Sequence, residues 1–237
     1  MKAIILAAGR GSRMRHMTDD RPKCLVEFQG RALLDRQIDA LRAAGIQDIG
    51  IVTGYRREML AGRGMTEFHN SRWAETNMVT SLTCAQDWLS SEPCIISYSD
   101  IFYEPSAISL LLETQSDLAI TYDPNWLNIW QRRFADPLSD AETFRLHTDG
   151  TLAEIGLKPD SAKVIQGQYM GLLRINPTGW AEIVRICDSL TDSEQDAMHM
   201  TGTLQAIIQA RRVSIKAIAY HGSWGEIDSS TDLEAYD

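Results

Sequence analysis

Residues 6–15 read LAAGRGSRMR, directly after the apolar opening KAII. Gly9 and Gly11 stand one residue apart, and Arg10, Arg13 and Arg15 fall within six residues. A strand, then a nearly bare backbone turn, then guanidinium groups is the makeup of a phosphate cradle. Glycine lets the main chain approach an anion where a Cβ would intrude. Successive N–H groups then point at the ligand, and arginine supplies paired donors and full charge. The spacing is neither of the two common nucleotide loops. Met14 stands where GxGxxG needs its last glycine, and GxxxxGK[ST] is absent. A ligand-free strand-to-helix turn uses the same residues, so the loop alone leaves both readings open.

The elements that must hold this loop follow a regular order. KAIILAA, DIGIVTGY, MTEFHN, PCIISYSDIFY and DLAITYD read as strands. RALLDRQIDALRAAG, MVTSLTCAQDWL and PSAISLLLET read as helices between them. REMLAGRG is a short helix or turn. Strand–helix alternation predicts an α/β fold, a mostly parallel Rossmann-like sheet flanked by helices. Ligands of such sheets bind beyond the carboxyl ends of the strands, where Gly9, Gly54, Asp100 and Asp123 fall. From Pro124 the pattern changes. PNWLNIWQRRFADPLSDAE is expected as a long loop with some helix, and TFRLHTDGTLAEIGLKP as a small inserted β hairpin turning at Asp149-Gly150. VIQGQYMGLLRINP and VSIKAIAY complete the strands. PTGWAEIVRICDSL and MTGTLQAIIQAR are helices. The expectation is one domain over 1–237, with a nucleotide-binding part of about 1–123 and an acceptor-binding part of about 124–237.

The net charge of −9 over 237 residues argues against nucleic acid or an anionic membrane as partner. A polyanionic ligand must then find its cations gathered locally, as they are at the start of the chain. Cys24, Cys84, Cys94 and Cys187 form no CxxC pair and no zinc spacing. Together with an apolar start too short for a signal peptide, they predict reduced thiols and a cytoplasmic location. No apolar run approaches the roughly 18 residues of a membrane span. A homo-oligomer is compatible with all of this.

The continuation of the loop is more specific. Leu6-Ala7-Ala8-Gly9, Gly11 and Arg13-Met14 are followed by Pro22-Lys23 and by Gly30-x-Ala32-Leu33 at the head of a helix. This pattern resembles the nucleotidyltransferase superfamily that includes sugar-1-phosphate nucleotidyltransferases and phosphocholine cytidylyltransferases. The resemblance implies attack of an acceptor phosphate on the α-phosphorus of a nucleoside triphosphate. Both partners are anions, so the catalysis is chiefly charge neutralisation and in-line positioning. Leu6, Ala7, Ala8, Gly9, Gly11 and Ser12 would form the nucleotide loop. Arg13 and Lys23 would be the catalytic cations on the β- and γ-phosphates, with Arg10 as an additional contact. Asp100, in ISYSDIFY, and Asp228, in the closing WGEIDSSTDL, would hold Mg²⁺, a hard ion suited to carboxylates. Asp232 is expected to cap the terminal helix. ETNMVTSL resembles the cytidylyltransferase branch and places Asn77, Thr80 and Ser81 at a helix start, with Asn77 and Ser81 near the nucleotide. EIGLKP resembles a Lys-Pro of the sugar members, making Lys158 a candidate for the acceptor's phosphate.

The acceptor is suggested by composition. Tyr122, Trp126, Trp130, Phe134, Tyr169 and Trp224 concentrate in or next to the second half, with Asp123, Asp140, Glu142 and Glu226 among them. Aromatic faces beside carboxylates suit an ammonium group, although any single ring is more often core. The expected acceptor is a small zwitterion such as phosphocholine or 2-aminoethylphosphonate, bound by Trp130, Lys158, Tyr169, Trp224 and Glu226, with CTP as donor. Arg132 and Arg133 fit an acidic acceptor, a lid or a subunit contact equally. The alternatives are a sugar-1-phosphate nucleotidyltransferase using UTP, dTTP or GTP, and a non-catalytic nucleotide-binding regulatory protein.

Overall fold

Alternating apolar runs set a layered α/β architecture, seen here in a computed structural model that describes residues 1–236, Arg15 by its backbone alone. The first half holds β1 (Lys2–Ala7), β2 (Glu27–Phe28), β3 (Arg31–Ala32), α1 (Leu33–Ala43), β4 (Ile49–Thr53) and β5 (Thr66–His69). α2 (Met78–Thr83), α3 (Gln86–Ser91), β6 (Cys94–Tyr98), β7 (Ile101–Tyr103), α4 (Pro105–Glu113) and β8 (Leu118–Asp123) follow. The second half holds α5 (Trp126–Arg133), β9 (Phe144–Leu146), β10 (Leu152–Ile155), β11 (Gln168–Ile175) and α6 (Pro177–Asp188). It closes with α7 (Asp192–Ala197), α8 (Met200–Ala210), β12 (Ile215–Ala219), β13 (Trp224–Glu226) and α9 (Asp232–Ala235).

Seven strands form the central sheet in the order β12-β8-β11-β6-β1-β4-β5. All neighbours pair in parallel except β11, which runs antiparallel to both β6 and β8. Ile4, Ile5, Ile95, Ile96, Ala119 and Ile120 are fully buried, as strands covered on both faces require. The carboxyl ends of β1, β4, β6 and β8 therefore share one edge of the sheet. Because β11 is reversed, its amino end reaches that same edge, with Gln168 opposite Asp123 and Tyr169 opposite Tyr122.

The register of β11 breaks between Tyr169 and Leu173. Gly171 sits in that break with φ +77°, and a Cβ on it would lie 2.8 Å from the Tyr98 ring. Such a bulge re-aims the side chains beside it. β9 and β10 form the expected hairpin around Asp149-Gly150. The expected helix over 78–89 is two helices instead, because Cys84 and Ala85 donate to Ser81 and Leu82 in tighter three-residue turns. Residues 126–133, expected mainly as loop, are helical. α7 was not foreseen, although Thr191 and Glu194 form a capping box at its start, a pattern readable in sequence.

Replacing Gly171 by Ala is expected to destabilise the fold by about 2 kcal/mol, from a positive φ and a forced shift of Tyr98. Thermal denaturation checks this, with a melting-temperature loss of roughly 4–8 °C for a chain of this size.

Candidate active site

At the end of β1 the chain enters the glycine loop. Gly11 has φ +71°, and a Cβ there would strike the Lys23 side chain at 2.7 Å. A glycine is therefore required for Lys23 to pass beneath the loop. At Gly9 a Cβ would meet nothing within 4 Å, so its bare backbone faces open space. A cavity of about 290 Å³ lies there, lined by Leu6, Ala8, Gly9, Gly11, Ser12, Arg13 and Lys23 from the loop side. Asn77, Ser81, Tyr98 and Asp100 line it from the other side. Ala7, expected in the nucleotide loop, instead packs into the core at 2% exposure, because alternate residues of β1 face opposite sides of the sheet. Arg10 also stays outside the cavity, paired with Asp19 at 2.7 Å.

Asn77 opens α2, where its Oδ1 accepts the Met78 N–H at 2.8 Å while its amide contacts the His199 ring at 3.1 Å. The buried Ser81 hydroxyl accepts from Asn70 at 3.0 Å. Both line the cavity, whereas Thr80 turns away and donates to the Gln195 carbonyl at 3.2 Å.

The acids meet through a strand pairing that neither half of the sequence announces. β7 and β13 are antiparallel, with Glu226 opposite Ile101, and the Ile227 N–H donates to the Asp100 carbonyl at 2.8 Å. This register sets Asp100, Glu226 and Asp228 together, with one oxygen from each within 4.8 Å of the others. The Lys23 ammonium donates to Asp100 at 2.8 Å and contacts Asp228, 205 residues away in sequence. Arg13 pairs with Asp228 at 2.7 Å. Burial works against the Lys23 charge, but Asp100, Asp228 and Glu226 outweigh it and its pKa is raised. Burial pushes the Glu226 carboxyl up, and Asp228 beside it adds to the effect against the opposing Arg133. Glu226, expected against the acceptor, thus belongs with the acids as well.

This donor set suits a hard divalent cation, being all carboxylate oxygen. Asp100 Oδ1 is buried and makes no hydrogen bond among the described residues. A lone pair left so is costly and is what a bound cation would satisfy.

A second cavity of about 730 Å³ adjoins the first, and Arg13, Met78 and Tyr98 line both. Trp130, Tyr169, Trp224, Asp140, Glu142 and Glu226 are among its walls. The Trp130 indole donates to Asp140 at 3.2 Å, and that of Trp224 to Asp123 at 3.0 Å. Tyr169 meets the Tyr98 ring edge-on at 5.8 Å, and among the described residues its buried hydroxyl makes no hydrogen bond of normal geometry. Burial pushes the Asp140 and Glu142 carboxyls upward. Trp126 and Tyr122 do not line this cavity; Tyr122 packs on Phe144 with centroids 4.9 Å apart. Lys158 is likewise outside it. Its exposed ammonium donates to the Leu138 and Ser139 carbonyls, so the structure does not bring it to the acids. His199 and Glu194, from the α7–α8 segment, line the cavity without having been anticipated.

Asp232 does more than start α9. Its Oδ2 accepts the N–H groups of Asp228 and Ser229 at 2.8 and 2.7 Å, and its Oδ1 accepts from Arg133 at 2.9 Å. The expected helix cap is thus a brace on the Asp228 turn. Its spacing to Asp228 was visible in the sequence, but the backward direction of its bonds was not.

Residues 3–150 match the family model described as "MobA-like NTP transferase domain". The chain is 38% identical to the CTP:phosphoglutamine cytidylyltransferase of Campylobacter jejuni, over 99% of this chain and 98% of that protein. It is 33% identical to the choline-phosphate cytidylyltransferase of Streptococcus pneumoniae, over 57% of this chain and 60% of that one. The inositol-1-phosphate CTP transferase structure from T. maritima superposes with a TM-score of 0.76 at 20% identity, covering 99% of this chain and 94% of that one, a likeness of fold. No described helix is long and apolar enough to cross a membrane. A glycine loop, a lysine beneath it and acids gathered at the carboxyl edge of a largely parallel sheet accord with these matches, and the chain belongs to the MobA-like NTP transferase family of nucleotidyltransferases.

Proposed function

We propose that the protein transfers CMP from CTP to a small acceptor that carries a phosphoryl or phosphonyl group at one end and an ammonium at the other. An acceptor oxygen bonds to the α-phosphorus, the bond from that phosphorus to the bridging oxygen breaks, and pyrophosphate leaves with the electron pair. The observation that carries this reading is the junction of the two cavities. Arg13 lines both, beside Asp100 and Asp228. A triphosphate held over the glycine loop and an acceptor held among Trp130, Tyr169, Asp140 and Glu142 would meet there. Positioning plus neutralisation is the bulk of such catalysis.

In this reading Asp100 and Asp228, with Glu226 beside them, would hold Mg²⁺, which would supply Lewis-acid charge. Lys23 and Arg13 neutralise the phosphates. The acids and rings of the larger cavity hold the acceptor's ammonium, whose attraction to both is electrostatic. Among acceptors of this kind phosphoglutamine ranks first. The relative named for it aligns over 99% of this chain, whereas the choline-phosphate and 2-aminoethylphosphonate relatives align over 57% and 42% of it. The sugar-1-phosphate alternative loses support because Lys158 sits away from the cleft. Convergence of Arg13, Lys23, Asp100 and Asp228 argues against a non-catalytic role. Free thiols at all four cysteines support a cytoplasmic location.

Pyrophosphate release should be seen with CTP and phosphoglutamine, with weaker turnover of phosphocholine or 2-aminoethylphosphonate. Turnover of hexose 1-phosphates alone, or of UTP or GTP in preference to CTP, would sink the reading. Asp100→Ala should lower kcat by at least about 100-fold, and chelation of divalent cations should abolish turnover; activity that survives both refutes the metal assignment.

Arg13 is 68% exposed along its side chain, so Arg13→Ala should leave the melting temperature within about 2 °C. Its kcat/KM should nevertheless fall roughly 100-fold or more. Tyr169→Phe removes a buried hydroxyl that makes no hydrogen bond of normal geometry among the described residues. It should preserve stability and the KM for CTP while raising the acceptor KM about 5–10-fold, the worth of one hydrogen bond. An unchanged acceptor KM would remove Tyr169 from the acceptor site.

A further inference from the structure

Arg133, on helix α5, reaches the acids from behind. It lies in the last turn of α5, outside the cavities, and its side chain has no exposed surface. Its Nη1 donates to Glu226 at 2.9 Å and its Nε to Asp232 at 2.9 Å. Its guanidinium carbon sits 5.3 Å from the Trp130 ring centroid and 5.0 Å from that of Phe134. Asp232 in turn receives the Asp228 and Ser229 N–H groups. One cation thus fixes one acid of the cluster directly and a second through the brace that shapes its turn.

A buried guanidinium is expensive to desolvate, and hydrophobic replacement of a buried ion pair is often neutral for stability. Stability therefore asks for a cation opposite Glu226 and Asp232 but not for an arginine in particular. Geometry does. Groups behind a metal's ligands orient them, and their loss typically weakens metal binding 10- to 100-fold. Arginine suits the task because its planar fork holds two carboxylates at fixed angles, which a lysine ammonium does not.

We propose that Arg133 is a positioning residue that presets Glu226 and the Asp228 turn for a divalent cation, so that α5, which also carries the acceptor-cavity wall Trp130, sets the geometry of the metal site. This inference rests on the metal role assigned above to Asp100, Asp228 and Glu226.

The test uses the full-length protein, the variants Arg133→Lys and Asp232→Asn, and Mn²⁺ as a paramagnetic probe in the presence of CTP without acceptor. Arg133→Lys keeps the charge in the core, and Asp232→Asn keeps an oxygen for the Asp228 and Ser229 N–H groups, so at least one variant should fold. Bound and free Mn²⁺ are counted by electron paramagnetic resonance. Expected is at least about 10-fold weaker Mn²⁺ binding in the folded variant, with kcat reduced and partly restored by raised metal concentration, and the KM for acceptor changed less than kcat. A folded variant that binds Mn²⁺ and turns over as the unaltered protein does overturns the proposal and leaves the function standing. Failure of the unaltered protein to bind Mn²⁺ overturns the metal assignment, and this inference with it.

Discussion

Three carboxylates with oxygens within 4.8 Å of each other cannot share a mostly buried site unless positive charge meets them. Burial and like charges so placed both favour protonation, and at Glu226 burial raises the carboxyl first and Asp228 adds to it. Lys23 from beneath the glycine loop, Arg13 from its far side and Arg133 from behind supply that charge. Much of the architecture follows from bringing those three cations to one place. Gly11 is bare so that Lys23 can pass, β7 pairs with β13 so that Asp100 meets Asp228, and α5 folds down so that Arg133 is enclosed.

The same arrangement divides labour between exposed and buried groups. Lys23 and Arg133 are enclosed and make short contacts to fixed partners. Arg13 is largely exposed at the boundary of both cavities. Its partner Asp228 is buried, but Lys23 meets that acid as well, so Arg13 is the cation of the three most open to a ligand. Asp100 leaves one buried oxygen without a partner. That carboxylate lies beside Glu226 and Asp228, where the proposed cation would meet it.

Reversal of β11 is the second decisive feature. Parallel strands direct their carboxyl ends to the ligand edge, and a purely parallel sheet would carry Tyr169 to the opposite side. Running antiparallel between β6 and β8, β11 brings its amino end to the ligand edge. The bulge at Gly171 then turns its side chains where Tyr98 leaves room. Most walls of the larger cavity thus come from the second half of the chain, from the reversed strand, helix α5 and the α7–α8 segment, while Arg13, Met78 and Tyr98 join them from the first half.

Much of the first half was legible in the sequence because its signals are local. Apolar runs bounded by glycine define strands, apolar residues at helical spacing define α1, and LAAGRGSRM followed by Pro22-Lys23 carries a family pattern within one stretch. Asp100 at a strand tip was readable for the same reason. Local sequence pattern was enough for the layered α/β class and for the glycine loop with Lys23 close behind it. Packing in three dimensions was needed to show that Ala7 faces the core, that Lys158 is tied to nearby carbonyls, and that Asp232 braces the Asp228 turn. It also decided that Arg133 is a buried prop for the acids. These depend on which face a side chain takes and on pairings between distant segments, such as β7 with β13. A one-residue change of register would reverse them while leaving every local pattern in the sequence intact.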